Sequence, residues 1–80
     1  MPTVLRIGGY RFHFYSDEGM EPPHIHARCA EGECKFWLAP IMLAKNLGLS
    51  PQQLRQVEQL VYANRRIFWE KFNEFHNNRY

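Results

Sequence analysis

The sequence predicts an α+β fold: a four-stranded antiparallel sheet with a short helix and one long C-terminal helix packed on one face. Three observations predict it. Apolar and polar residues alternate in four short runs before Pro40, separated by turn residues. From Leu54 to Phe75 the apolar residues recur at helical spacing instead. Between the two patterns, Ser50-Pro51-Gln52-Gln53 has the composition of a helix start.

Thr3–Ile7 alternates and reads as the first strand, and Gly8-Gly9 is a two-residue hairpin signal. Tyr10–Ser16 is the second strand, with Tyr10, Phe12 and Phe14 on one face. Asp17–Pro23 is a polar loop. His24–Ala30 is the third strand, and Glu31-Gly32 supplies a tight turn. Glu33–Leu38 is the fourth, with Cys34, Phe36 and Leu38 alternating, and Pro40 ends it. Ile41–Leu47 reads as a short helix stopped by Gly48. Ser50 caps the long helix, Pro51 takes its first position and Gln53 closes a capping box. Leu54, Val57, Val61, Phe68, Phe72 and Phe75 form its buried stripe, so it runs to about Phe75.

Register sharpens the pattern. A two-residue Glu31-Gly32 loop sets Cys29 against Cys34, Ala27 against Phe36 and Ile25 against Leu38. Pairing His13 with His26 brings Phe12 to Ala27 and Phe14 to Ile25, and Gly8-Gly9 puts Leu5 opposite Phe12. One face is then apolar throughout and lies under the long helix. The other collects Arg11, His13, Tyr15, His24, His26, Arg28, Lys35 and Trp37.

Bulk properties bound the function. The 80 residues make one domain, residues 1–80, whose small core is helped by an aromatic content of 15%. A net charge of +2 is too small to announce a nucleic-acid binder on composition alone. Two cysteines do not make a disulfide scaffold. In the register above Cys29 and Cys34 are close enough to bridge, and a reducing compartment would keep them as buried thiols. No charged-then-apolar N-terminal signal and no run approaching a membrane span is present, so a cytoplasmic protein is expected.

The stretch Glu21-Pro22-Pro23-His24-Ile25-His26-Ala27-Arg28 is the most informative part of the chain. His24, His26 and Arg28 alternate with Ile25 and Ala27, so all three share one strand face. Histidine titrates near neutrality, so His24 and His26, with His13 across the strand pair and Tyr15 and Arg28 beside them, are candidates for acid–base catalysis on an anionic substrate. Arg11, Arg28, Lys35, Tyr15 and Trp37 would offer a nucleic acid cations and stacking surfaces. The plainer reading is a solvated polar sheet face. No cofactor motif is present. No metal is expected either, because no Glu, Asp or Cys is fixed on that face beside the histidines.

The long helix carries more apolar surface than one packed face requires. Leu60 and Ile67 flank the stripe on one side, Tyr62 and Trp69 on the other. The excess is covered by the short helix and chain termini, or it is a surface for a protein partner or a second copy of the chain.

Taken together, Pro2-Thr3-Val4-Leu5-Arg6-Ile7-Gly8, Arg11-Phe12-His13-Phe14-Tyr15-Ser16, Glu18-Gly19, Glu21-Pro22-Pro23-His24-Ile25-His26, Lys35-Phe36-Trp37-Leu38, Leu47-Gly48-Leu49-Ser50 and Trp69–Phe75 resemble the small bacterial proteins of the domain-of-unknown-function family 4160. The Pro-Pro-His-Ile-His stretch is the most specific part, and it marks His24 and His26 as signature positions. The resemblance implies a gene often found beside a second small protein, from the domain-of-unknown-function family 2442. That pairing is read as a type II toxin–antitoxin module with this chain as the toxin. The resemblance supplies no reaction. The expected function is therefore a growth-inhibiting toxin held inactive by a small antitoxin and acting on nucleic acid through the His-x-His face. The alternative is a non-catalytic module that binds a protein through the wide apolar face of the helix.

Overall fold

A computed structural model describes residues 3–15 and 20–77. Its sheet has five antiparallel strands in sequence order, not four. They are β1 (Thr3–Ile7), β2 (Tyr10–His13), β3 (His24–Cys29), β4 (Gly32–Leu38) and β5 (Ile41–Leu47). Two helices follow, α1 (Pro51–Ala63) and α2 (Arg65–Asn77). Each consecutive strand pair is antiparallel and adjacent, so the sheet is a simple meander.

The fifth strand replaces the short helix expected over Ile41–Leu47. Met, Leu, Ala and Lys all favour helix, and only Ile41 is β-branched. Tertiary context wins over propensity: after the Ala39-Pro40 turn the segment pairs along the whole of β4, from Leu38↔Ile41 to Glu33↔Leu47. Gly48 accordingly terminates a strand and not a helix. Its φ of +99° suits glycine, and a Cβ there would lie 2.6 Å from the Glu31 carbonyl oxygen. Gly32 is packed just as closely, since a Cβ on it would meet the Leu47 carbonyl oxygen at 2.0 Å. These two glycines let the end of β5 close onto the β3–β4 turn.

The β1–β2 and β2–β3 registers agree with the sequence reading, with Leu5 opposite Phe12, Phe12 opposite Ala27 and His13 opposite His26. Phe14 lies past the end of β2, so it has no ladder partner in Ile25, and Ser16 lies outside the described residues. The β3–β4 register differs by two residues. Cys29 faces Gly32, Ala27 faces Cys34 and Ile25 faces Phe36. The loop is therefore Ala30-Glu31, one residue earlier than the Glu31-Gly32 turn. A shift of two leaves every side chain on its expected face, which is why the apolar pattern alone did not reveal it.

The helical region starts as its sequence dictates. Ser50 Oγ accepts from the Gln53 amide at 3.1 Å, and Gln53 Oε1 accepts from the Ser50 amide at 2.9 Å. It is not one helix, however. Asn64 Nδ2 donates to the Leu60 carbonyl at 2.9 Å, which the Asn64 amide also uses at 3.0 Å, and the helix breaks there. The apolar stripe continues across the break. Val57, Val61, Phe68 and Phe72 are buried with Phe12, Phe14, Ile25, Ala27, Cys34, Phe36 and Leu38, and Leu54 and Phe75 pack against them. Of the flanking residues, Leu60 also packs on this core, whereas Tyr62, Ile67 and Trp69 are exposed. Among the described residues no helix is long and apolar enough to cross a membrane.

Candidate functional site

The pairing of β2 with β3 sets His13 directly opposite His26, and the pairing of β3 with β4 sets Arg28 opposite Glu33 and His26 opposite Lys35. Glu33 is thus diagonal to His26 on the same face, within reach of a long side chain. Glu33 Oε2 lies 3.3 Å from His26 Nδ1 and 3.6 Å from His13 Nε2. Tyr15 donates its hydroxyl to the same oxygen at 2.8 Å, which fixes the carboxylate's orientation. The two imidazoles stack with centroids 5.4 Å apart and an interplanar angle of 12°. One ligand atom from each of His13, His26 and Glu33 falls within 4.8 Å of the others. The expectation of no metal rested on there being no carboxylate fixed beside the histidines. Glu33 is such a carboxylate, so that ground for excluding a metal is gone.

This face is not the open, solvated surface that alternation suggests. His13 and His24 are fully buried and His26 is 6% exposed. Neither ring nitrogen of His13 has a hydrogen-bond partner among the described residues. An unsatisfied buried polar group costs about 1–3 kcal/mol, so this ring asks for an explanation. Burial holds its pKa below the ordinary histidine value. The Glu33 carboxylate opposes that, the His26 ring adds to it, and the Arg11 backbone opposes it without a hydrogen bond of good geometry. The shift favours the neutral ring, which carries a lone pair.

The five residues picked out by the sequence do not share one placement. Tyr15 and His26 line a hollow of about 340 Å³ together with Glu21, Glu33, Lys35 and Lys45. His13 lies buried behind them. His24 is held differently. Its Nδ1 is 2.8 Å from the Pro22 carbonyl oxygen, and its ring lies 5.3 Å from both His26 and Phe72. Contact with Phe72 ties His24 to the helix, so it contributes to packing, contrary to the expectation that both signature histidines stand clear of the core. Arg28 is exposed, two positions along β3 from His26, or about 7 Å at strand rise. Lys35 is engaged already, paired with Glu21 and 4.7 Å from the Trp37 ring centroid.

Residues 9–73 match the family described as Domain of unknown function (DUF4160). The chain belongs to this family. No match was found among curated proteins or among solved structures. In this DUF4160 chain the matched span contains all of Tyr15, His13, His24, His26, Arg28 and Glu33, together with the helical stripe as far as Phe72.

Arg6 is a further residue that the sequence reading left out of the polar face. Register places Arg6 opposite Arg11, Arg11 opposite Arg28 and Arg28 opposite Glu33, which makes one row across four strands. All three arginines are exposed, and they line a hollow of about 710 Å³ beside the Gly8-Gly9 turn. Among the described residues none of the three makes an ion pair. The bulk charge of the chain hides this local concentration.

The cysteines do not form the cross-strand pair expected from the sequence, and both are free. Burial pushes the Cys34 thiol up to about 12, with neighbouring Cys29 and the Glu33 carboxylate adding to the shift. Cys29 is half-buried, its Sγ donating to Glu31 Oε1 at 3.3 Å. Brief iodoacetamide treatment of the native chain is expected to label Cys29 alone, and denatured chain to label at both sites. Mass spectrometry reads this directly. Equal labelling of Cys34 in the native chain would contradict its burial.

Proposed function

We propose that this chain is the growth-inhibiting toxin of a type II toxin–antitoxin module and that it acts on RNA at the β2–β3–β4 face. The observation that supports this best is the placement of the arginine row next to the His13–His26–Glu33–Tyr15 cluster. The arginines offer phosphate contacts, which supply most of the affinity for a nucleic-acid strand. At the end of that row the hollow bordered by His26, Tyr15 and Glu33 offers groups able to move protons beside a bound phosphate. His26 and Tyr15 are the members that a substrate can touch. His13, fully buried, positions His26 by stacking.

The inhibitor in this reading is a small antitoxin resembling the domain-of-unknown-function family 2442. Tyr62 and Trp69, on one flank of the helical stripe, are its docking surface, being large apolar side chains that the domain leaves 48% and 41% exposed. The same exposure favours the second reading, a non-catalytic interaction module. Induced expression of the chain with and without the neighbouring gene separates the two. A toxin arrests growth alone, is relieved by its partner, and loses its effect in Glu33→Gln and in His26→Gln at unchanged protein level. A well-expressed, folded parent chain that leaves growth unaffected removes the toxin reading and leaves the module.

A further inference from the structure

We propose that His13 Nε2, His26 Nδ1 and Glu33 Oε2 form a three-ligand site for one divalent transition-metal ion, with the remaining coordination position facing the Tyr15–Lys35–Lys45 hollow. The site stands on donor geometry and does not depend on the toxin reading.

Distance supports it first. Ligand bonds of about 2.0–2.2 Å in tetrahedral arrangement separate neighbouring donor atoms by about 3.3–3.6 Å. Glu33 Oε2 stands 3.3 Å from His26 Nδ1 and 3.6 Å from His13 Nε2, and all three donors lie within 4.8 Å. An ion entering between them needs only side-chain adjustment. The unsatisfied ring of His13 supports it independently. That ring is completely buried with both nitrogens unpartnered among the described residues, and a metal on Nε2 gives that nitrogen a partner. The surroundings fit as well. Tyr15 already donates to Glu33 Oε2 at 2.8 Å, the kind of outer hydrogen bond that orients a ligating carboxylate.

The donor set also states the class of ion. Two imidazoles and one carboxylate suit Zn²⁺, Fe²⁺, Mn²⁺ or Co²⁺, whereas Mg²⁺ and Ca²⁺ prefer all-oxygen sites. Three protein ligands with a hollow of about 340 Å³ beside them leave room for water or an anionic ligand, which is the pattern of an open site and not of a closed structural one. His24 is not one of the three residues whose donor atoms converge, and its Nδ1 is directed at the Pro22 carbonyl.

The test uses the tag-free, chelator-treated full chain and Zn²⁺ as the probe, with Co²⁺ as its spectroscopic substitute. Titration against a competing chromogenic chelator is expected to show one Zn²⁺ per chain. At a free Zn²⁺ level about 100 times the Kd, the melting temperature of the parent is expected to rise by about 10–20 °C. Glu33→Gln keeps shape and hydrogen bonding but removes the charge, and it should weaken binding by about 100-fold while the circular dichroism spectrum stays that of the parent. Tyr15→Phe should weaken binding about 10-fold through the loss of its orienting bond. Lys71→Ala, at an exposed position on α2 outside the hollow, should bind like the parent. Bound Co²⁺ should give the intense visible bands of a four- or five-coordinate ion. Failure of the folded parent to bind Zn²⁺ stoichiometrically overturns the proposal. So does undiminished binding by folded Glu33→Gln, since the ion would then sit elsewhere.

Discussion

Phe68→Ala is expected to remove about 3–5 kcal/mol of stability, the usual cost of deleting a buried aromatic ring. A domain of this size has only about 5–10 kcal/mol in total, so the variant should melt more than about 10 °C below the parent. Phe68 is fully buried on α2, and its ring lies 4.9 Å from that of Phe12 on β2. It therefore joins the C-terminal helical region to the sheet near its centre. The proper control is Trp69→Ser, one residue along, where the side chain is 41% exposed and the loss should stay below about 1 kcal/mol. Urea unfolding of both variants measures the contrast. A Phe68→Ala loss as small as that of Trp69→Ser would mean that the helix does not pack on the sheet in the way described.

The buried half of that contrast was legible from spacing alone, whereas spacing left open whether the Trp69 flank is covered. Leu54, Val57, Val61, Phe68, Phe72 and Phe75 repeat at helical intervals, and all six pack on the core. Strand faces were equally readable, because alternation fixes which side each residue takes. Alternation fixes register only modulo two, and the β3–β4 pairing slid by two residues, a shift that parity does not register. Nor does local propensity decide a strand such as Ile41–Leu47, whose residues favour helix and whose strand character comes from the unpaired edge of β4. Asn64 broke the helix through a side-chain bond to Leu60 that periodicity does not reveal.

The candidate site was half legible for the same reason. His13 opposite His26 follows from the β2–β3 register, and Tyr15 follows His13 at strand spacing. Glu33 was hidden by the register slip, which left it at the edge of the turn instead of opposite Arg28. Its parity with Lys35 and Trp37 was the signal available, since all three must share the histidine face. His24 was placed correctly on its strand, but its contact with Phe72 depends on where α2 crosses the end of the sheet, and no local pattern states that.

The arginine row makes the sharpest functional prediction. Arg6 and Arg28 each stand directly across from Arg11, and like charges in that relation destabilise a sheet by a few tenths to about 1 kcal/mol per pair. Arg11 takes part in both pairs. Replacing it with Ala should leave the free domain as stable as the parent or slightly more so. The same change should weaken binding to RNA, because a row that repels itself in the free chain is relieved by an anion laid across it. The triple variant Arg6→Ala, Arg11→Ala, Arg28→Ala should lower the slope of log affinity against log salt by about 2 for a single-stranded oligoribonucleotide, at about 0.7 for each phosphate no longer neutralised. At low salt this is a large loss of affinity, and at high salt the parent and the variant should converge. Fluorescence anisotropy across a salt series, with thermal unfolding run in parallel, reads both effects. A triple variant that keeps the parent's salt slope would exclude the row as a phosphate track. One that unfolds at much lower temperature would show that the arginines serve the fold through interactions beyond their mutual pairing.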